Sequence, residues 1–402
     1  MSNYSHRGYE HRTAGYGRRR HKASGFKKKS NGSGFIGALA VTAIIIVIAA
    51  LVFLFVKYYK PFINSFNDTG TEIVQTADTP TESPDTPQGA FDVANNKIFV
   101  SNGCGCLMFK GIDDTAANYA AVLNGIATSL SDEIKIYSMV IPNHTEFIFG
   151  DDFSKYTNSQ RQNLNKISLA LMDKITNANP YEILNQHSSE YIYYRTDEGV
   201  TSLGAYYLYR VFAQTAGISS DELYSLETLS ENKGSAGRFE GSFIKATVDT
   251  YLQPHGNQVL FENADIVEFF RPAVDYSCYS VNPKTDEGQE TNIFSTENAK
   301  ENPLSVFPAN NAPMLRIYRS GETNDTNLLI VKDYIAEPLI GYLIPHYSEI
   351  HVADAQLYKE NLSEYILKHE ITQILIVNGI SNANNSLYCQ RLRDLFDSSV
   401  SG

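Results

Sequence analysis

Tyr193-Tyr194-Arg195-Thr196-Asp197-Glu198-Gly199-Val200-Thr201-Ser202-Leu203-Gly204-Ala205-Tyr206-Tyr207 is the stretch whose reading decides the fold. The aromatics before Asp197 read as a strand, and the Thr201-Ser202-Leu203-Gly204-Ala205 run after it reads as a loop entering a helix. That places Asp197 at a strand-to-helix mouth, where chemistry tends to concentrate.

Strands and helices alternate on both sides of this stretch. Ile98-Phe99-Val100 predicts a first strand, Thr115 to Leu130 a helix, and Ile134 to Ile141 a β-branched strand. Leu164, Ile167, Leu171, Met172 and Ile175 recur at helical spacing up to Asn179-Pro180, and Gly204 to Gly217 predicts the helix that follows the central stretch. After residue 313 the pattern resumes with strands at Leu328 to Asp333, Ile350 to Val352 and Ile374 to Asn378, and a helix over Tyr358 to His369. The expected class is α/β, with a mainly parallel sheet flanked by helices. Residues 219–313 lose helical periodicity and read as a middle insertion or cap. In open parallel sheets ligands gather outside the carboxyl ends of the strands, which draws Asp333, Tyr334 and Asn378 to one edge.

Three segments precede this domain, which spans 90–402. Residues 1–33 form a basic arm with nine Lys or Arg against Glu10 alone. Residues 34–56 carry no charge, and 23 apolar residues suffice to cross about 30 Å of hydrocarbon. The run exceeds a signal-peptide core and is followed by Lys57-Tyr58-Tyr59-Lys60 instead of a cleavage site, which predicts a retained transmembrane signal anchor. Its positive flank is N-terminal, so the expected localisation is the cell membrane, single-pass, with the N-terminus cytoplasmic and the C-terminal domain extracellular. Attraction to the lipid bilayer then accounts for the arm's charge, and no nucleic-acid partner is expected. Residues 57–89 are a juxtamembrane segment and a spacer rich in Thr, Asp, Pro and Ser. Setting aside the arm and the two flanking lysines leaves 22 basic against 44 acidic residues, an exterior that repels polyanions.

The central stretch resembles the signature of the bacterial DHHW proteins, relatives of the SGNH hydrolases and of the alginate O-acetyltransferases. Their signature reads Tyr-Arg-Thr-Asp-His-His-Trp-Thr-Ser-x-Gly-Ala-Tyr, and Glu198-Gly199-Val200 stands here in place of His-His-Trp. Lys332-Asp333-Tyr334 resembles the second landmark, Lys-Asp-Ser-Tyr, and Pro345-His346-Tyr347-Ser348-Glu349-Ile350 follows where the family has a similar run. The resemblance implies an SGNH-like fold, with a serine nucleophile, a histidine base and an orienting carboxylate. Carried over position by position, Asp197 retains the acid, Gly199 stands at the lost histidine and Tyr334 at the lost serine. A phenol is a weak nucleophile without a base or a strong positive field, and strand periodicity offers Tyr334 only Lys332. Ser202, Ser381 or Ser386 could serve as a displaced nucleophile, and His346 or the Glu349-x-His351 pair as a displaced base.

The expected reading is therefore a catalytically inactive member that binds a cell-envelope glycan or envelope protein partner. Asp197, Arg195, Tyr194, Lys332, Asp333, Tyr334 and Asn378 are the candidate ligand contacts. The rival is an active O-acyl esterase or O-acetyltransferase on envelope polysaccharide working through rebuilt residues, and a third reading is a structural part of an envelope assembly. Neither a metal nor another cofactor is expected, because no clustered ligand spacing or glycine-rich phosphate loop occurs. Cys104, Cys106, Cys278 and Cys389 all lie outside the membrane, where one or two disulfides are expected before a redox centre.

Overall fold

The structure, a computed structural model, describes residues 90–92, 97–149, 153–219, 225–244, 254–294, 296, 299–300, 302–308, 312–321 and 326–397. The basic arm, the apolar run and the spacer of residues 1–89 lie outside the described residues. Among those described, no helix is long and apolar enough to cross a membrane.

An eight-stranded sheet organises the domain. Its strands are β4 (Lys135–Ile141), β5 (Ile175–Asn177), β8 (Tyr276–Val281), β9 (Gly288–Glu290), β10 (Met314–Arg319), β11 (Asn327–Lys332), β12 (Glu349–Asp354) and β13 (Gln373–Gly379). The spatial order is β5-β4-β13-β11-β12-β10-β8-β9. The first five run parallel, as the β-branched runs predict, and the last three are antiparallel. The sheet is thus mixed. Part of the middle insertion is no cap at all, because β8 and β9 extend the main sheet, while β6 (Lys233–Phe239) and β7 (Asp265–Phe270) pair with each other.

Both faces of the parallel part are covered. Along β11, Leu328 and Ile330 face a core shared with helix α5 (Ser202–Ala216) and helix α8 (Glu337–Leu343). Leu329 and Val331 face the opposite core, shared with α1 (Asp113–Ser129), α3 (Gln160–Ala170), α9 (Leu362–Lys368) and α11 (Ser386–Phe396). The remaining short helices are α2 (Thr145–Ile148), α4 (Tyr181–Gln186), α6 (Leu226–Asn232), α7 (Pro254–Glu262) and α10 (Ile380–Ala383). This alternation is the period of two that makes a buried strand apolar throughout.

Several expectations are corrected. The series Leu164 to Ile175 is not one helix, since α3 ends at Ala170 and Ile175 begins the edge strand β5. Asn124 imposes the stop: its amide donates to Ala170 O at 2.9 Å and its Oδ1 accepts from Met172 N at 2.9 Å, replacing the bonds that another turn would make. The strand Ile98–Ser101 (β2) belongs to a separate three-stranded sheet with β1 (Ala90–Asp92) and β3 (Cys104–Leu107). Helix α9 starts at Leu362, capped by Asn361, rather than at Tyr358.

Candidate active site

The tyrosines before Asp197 form no regular strand. A single antiparallel bridge, Tyr193 to Val200, closes a tight loop whose mouth is held by Tyr194 N to Gly199 O at 3.0 Å and Thr201 N to Ile192 O at 3.0 Å. Helix α5 follows at once, with the Thr201 hydroxyl accepting from Gly204 N at 3.2 Å. Asp197 therefore sits at the tip of a closed loop leading into a helix.

That loop is fixed from the insertion side. Asp265 of β7, fully buried, accepts from Arg195 N at 2.9 Å, from Thr196 N at 2.9 Å, from Thr196 Oγ1 at 2.7 Å and from the Tyr191 hydroxyl. The turn 241–243 adds Gly241 N to Thr196 Oγ1 at 2.9 Å and Ser242 N to Asp197 Oδ2 at 2.9 Å. Gly241 has to be glycine, because a Cβ there would lie 2.1 Å from Thr196 O, a backbone atom. Asp265 was missed in the sequence. Its signal was a lone acid opening an apolar run, Asp265-Ile266-Val267, which is also the look of an ordinary strand start.

From the sheet side, β11 and β13 end beside each other. Asp333 Oδ2 accepts from Gly379 N and from the Asn382 amide, both at 2.8 Å, and Oδ1 accepts from Ile335 N at 3.0 Å. Burial still raises its pKa against those donors. The chain then enters a 3-10 turn, and Tyr334 swings its hydroxyl to 3.2 Å from Asp197 Oδ1 and 3.3 Å from Glu198 Oε1. Tyr334 is 37 % exposed, with its hydroxyl turned toward the two carboxyl groups. Burial, then the charges of Asp197, Glu198 and Asp333, push the phenol well above its ordinary range. Glu198 is completed by Ser381 of α10, whose Oγ donates to Oε2 at 3.0 Å. Burial first, and then the charge of Asp197, lift the Glu198 carboxyl to about 7.

The sheet edge thus gathers a carboxylate, a phenol, a second carboxyl and a hydroxyl in one chain of hydrogen bonds. Beside Tyr334 the remaining space is about 10 Å³, roofed by Leu304 and Phe307 of the insertion, room for little more than a water. Among the described residues, no imidazole makes a hydrogen bond to any of the four. His346 is held by the Tyr209 hydroxyl at 2.7 Å, on which its ring stacks, and burial drops its pKa to about 4. His351 is fully buried in β12, at the amino end of the strands. Ser202 is likewise buried, against Tyr342, while Ser386 is the first residue of α11.

The other candidate contacts fare differently. Lys332 does not reach Tyr334: strand geometry stops at Lys332, and its ammonium, wholly buried, is 2.7 Å from Glu337 Oε1 and 2.7 Å from Asp354 Oδ2. Burial opposes the charge, but the two carboxylates outweigh it and raise the pKa. Asn378 is buried and accepts from the Tyr119 hydroxyl at 2.7 Å. Tyr194 is buried too, its hydroxyl making no hydrogen bond. Of the seven residues expected to meet a ligand, only Tyr334 and Arg195 reach solvent, and Arg195 lies over the Tyr191 ring at 4.7 Å.

All four cysteines are free, which corrects the expected disulfides. Cys278 and Cys389 belong to cores on opposite faces of the sheet, and Cys104 and Cys106 line another cluster, so the fold keeps that pair away from both distant partners.

A family model described as "DHHW protein" matches residues 100–353. No curated protein matches the chain. Among solved structures, a DHHW family protein from Eubacterium siraeum is similar at a TM-score of 0.66 and 22 % identity, covering 77 % of this chain and 99 % of that one. PatB1 of Bacillus cereus, in a structure with a sulfonyl adduct, is similar at 0.56 and 15 % identity, covering 72 % and 98 %. The O-acetyltransferase domain of Pseudomonas putida AlgJ aligns at 0.40 and 10 % identity over 76 % and 99 %.

Proposed function

The chain belongs to the DHHW protein family, and on that premise we propose that it is a member anchored in the cell membrane by residues 34–56 whose acyl-transfer centre is silent. In this reading the outer domain holds a cell-envelope glycan or protein partner without turning it over. One observation carries it: the Tyr334 hydroxyl stands where the resemblance implies a serine, clamped between Asp197 and Glu198. Two neighbouring carboxyl groups raise the cost of ionising a phenol, so Tyr334 serves as a hydrogen-bond donor and not as a nucleophile. The pocket beside it has no volume for an acyl group, and recognition falls to the surface around Arg195 and the exposed edge of Tyr334.

A second reading rests on the Ser381–Glu198 contact. A carboxyl lifted to about 7 and 3.0 Å from a serine oxygen has the affinity and the reach of a general base. Ser381 Oγ would attack the acyl carbonyl while Glu198 takes its proton, then returns it to the leaving alcohol, which is the rebuilt O-acyl esterase or O-acetyltransferase.

Hydrolysis of an aryl acetate separates the two. The purified chain is expected to be silent, and the double substitution Gly199→His with Tyr334→Ser is expected to gain turnover. Wild-type turnover abolished by Ser381→Ala would overturn the silent reading in favour of the second. The anchor is checked by protease added to intact cells, which should digest the outer domain and spare the basic arm.

A further inference from the structure

The amino ends of the sheet strands carry a second polar cluster, remote from the Asp197 loop. Glu349 and His351 stand two apart on β12 and share a face, His369 lies just past α9, and Asp286 sits in the turn between β8 and β9. His351 Nε2 is 3.1 Å from Glu349 Oε1, His369 Nε2 is 3.0 Å from Asp286 Oδ2, and the two rings are 5.2 Å apart. One donor atom each from Glu349, His351 and His369 fall within 4.8 Å of one another. His351 is fully buried, and both Nε2 atoms are shielded from solvent without a well-formed hydrogen bond. Each Nε2 faces a carboxylate oxygen at contact distance but out of line for a good hydrogen bond, an arrangement that a shared cation would satisfy at all four groups.

We propose that Glu349, His351 and His369 bind a divalent transition metal of the zinc class, with Asp286 closing the fourth position. Zinc–nitrogen and zinc–oxygen bonds of about 2.0–2.1 Å in a tetrahedron set donors roughly 3.3 Å apart, so the 3.1 and 3.0 Å pairs already have the length of a tetrahedral edge. The ligand atoms of Glu349, His351 and His369 already lie within 4.8 Å of one another, so closing them to tetrahedral edges takes a movement of about 1.5 Å at most. His351 is oriented from outside, since its Nδ1 is 2.8 Å from the Tyr365 hydroxyl, the kind of partner that fixes the tautomer of a ligating imidazole. Two imidazoles and two carboxylates suit zinc better than calcium or magnesium, which take oxygen donors. Lys368 and Arg316 also face Asp286, at 2.6 and 3.5 Å. Lys368 is largely exposed and free to turn outward when a cation arrives. Arg316 approaches the other carboxylate oxygen and also donates to Asp286 O at 2.7 Å, holding the turn in place. A metal here would tie the insertion hairpin to β12 and α9, a structural role consistent with four protein ligands.

The test is equilibrium dialysis of the full chain in detergent against Zn2+, with Co2+ as the spectroscopic probe. His6, His11 and His21 remain in every variant, so the difference between variants reads this site alone. Wild type is expected to hold one more Zn2+ per chain than His369→Gln, to give the d–d bands of tetrahedral Co2+, and to melt at a higher temperature with Zn2+ than without. His369→Gln should lose all three responses, and Asp286→Asn should weaken binding while keeping the fold. Equal Zn2+ content and an equal thermal response in wild type and His369→Gln would overturn the proposal. His369 and Asp286 lie toward the surface, so a folding failure of His351→Gln leaves the test intact.

Discussion

Replacing Glu198 by Gln tests the electrostatics of the candidate site directly. The carboxyl ionises at about 7 in the folded protein against an ordinary 4.5, chiefly because burial disfavours its charge. A carboxyl whose folded pKa is raised contributes stability that is complete below the unfolded pKa and is lost as pH rises through the folded one. Between pH 4.5 and 7 the unfolded chain has released this proton while the folded chain still holds it, so the stability contributed by Glu198 declines across that window. At roughly 1.4 kcal/mol per pH unit the full gap is about 3 kcal/mol, and partial access of the carboxyl to solvent trims the expectation to about 2 kcal/mol. Glu198→Gln keeps the shape and removes the titration; its one amide oxygen accepts from Ser381 or from Tyr334, and its NH2 donates to the other hydroxyl oxygen, as the protonated carboxyl would. Urea unfolding from pH 4 to 9 should find the two proteins equal near pH 4 and Gln more stable by about 2 kcal/mol at pH 8. The slope from the buried Glu337, also raised to about 7 by burial, is common to both and cancels in the difference. A gap between the variants that does not change with pH would refute the buried-charge account of Glu198.

Gly241→Ala should destabilise by about 2–4 kcal/mol, since its Cβ would strike Thr196 O, a backbone atom that cannot turn aside; thermal unfolding checks this. Lys332→Met should cost about 3–5 kcal/mol by leaving Glu337 and Asp354 facing each other unneutralised, and further substitution of Glu337→Gln should recover part of the loss, read by denaturant midpoints. Asp265→Asn should loosen the Asp197 loop, because four donors converge on that one carboxylate; amide hydrogen exchange at Thr196 and Gly199 is expected to accelerate by tenfold or more. In the Gly199→His reconstruction the new Cβ meets Asp197 Oδ1 at 3.2 Å, so the loop has to give by a few tenths of an ångström and any regained turnover should stay modest.

The sequence alone determined a good deal. The runs at β4, β11 and β13 were legible as buried parallel strands because a strand covered on both faces is apolar almost throughout, and β12 was legible from Ile350 and Val352 in spite of the buried His351 between them. The helix after Thr201 was legible from its hydroxyl cap and from Gly217, whose φ of 74° ends it in the left-handed region. The identity of the central stretch placed Asp197 and Tyr334 as counterparts and exposed the missing serine and histidine. What the tertiary structure decided is which groups meet. Tyr334 reaches across 137 positions to Asp197, and Ser381 across 183 to Glu198. Asp265 supports the loop from the insertion, and Lys332 turns away to Glu337 and Asp354. The Glu349-x-His351 pair was legible from its spacing, but nothing in the sequence brought His369 and Asp286 to it. Periodicity records whether a residue is buried and on which side of its own element, whereas contact between distant residues depends on the order in which strands are laid into the sheet. That order is set by the whole core at once, and it alone decided that a phenol and two carboxyl groups fill the edge where the resemblance led one to look for a serine.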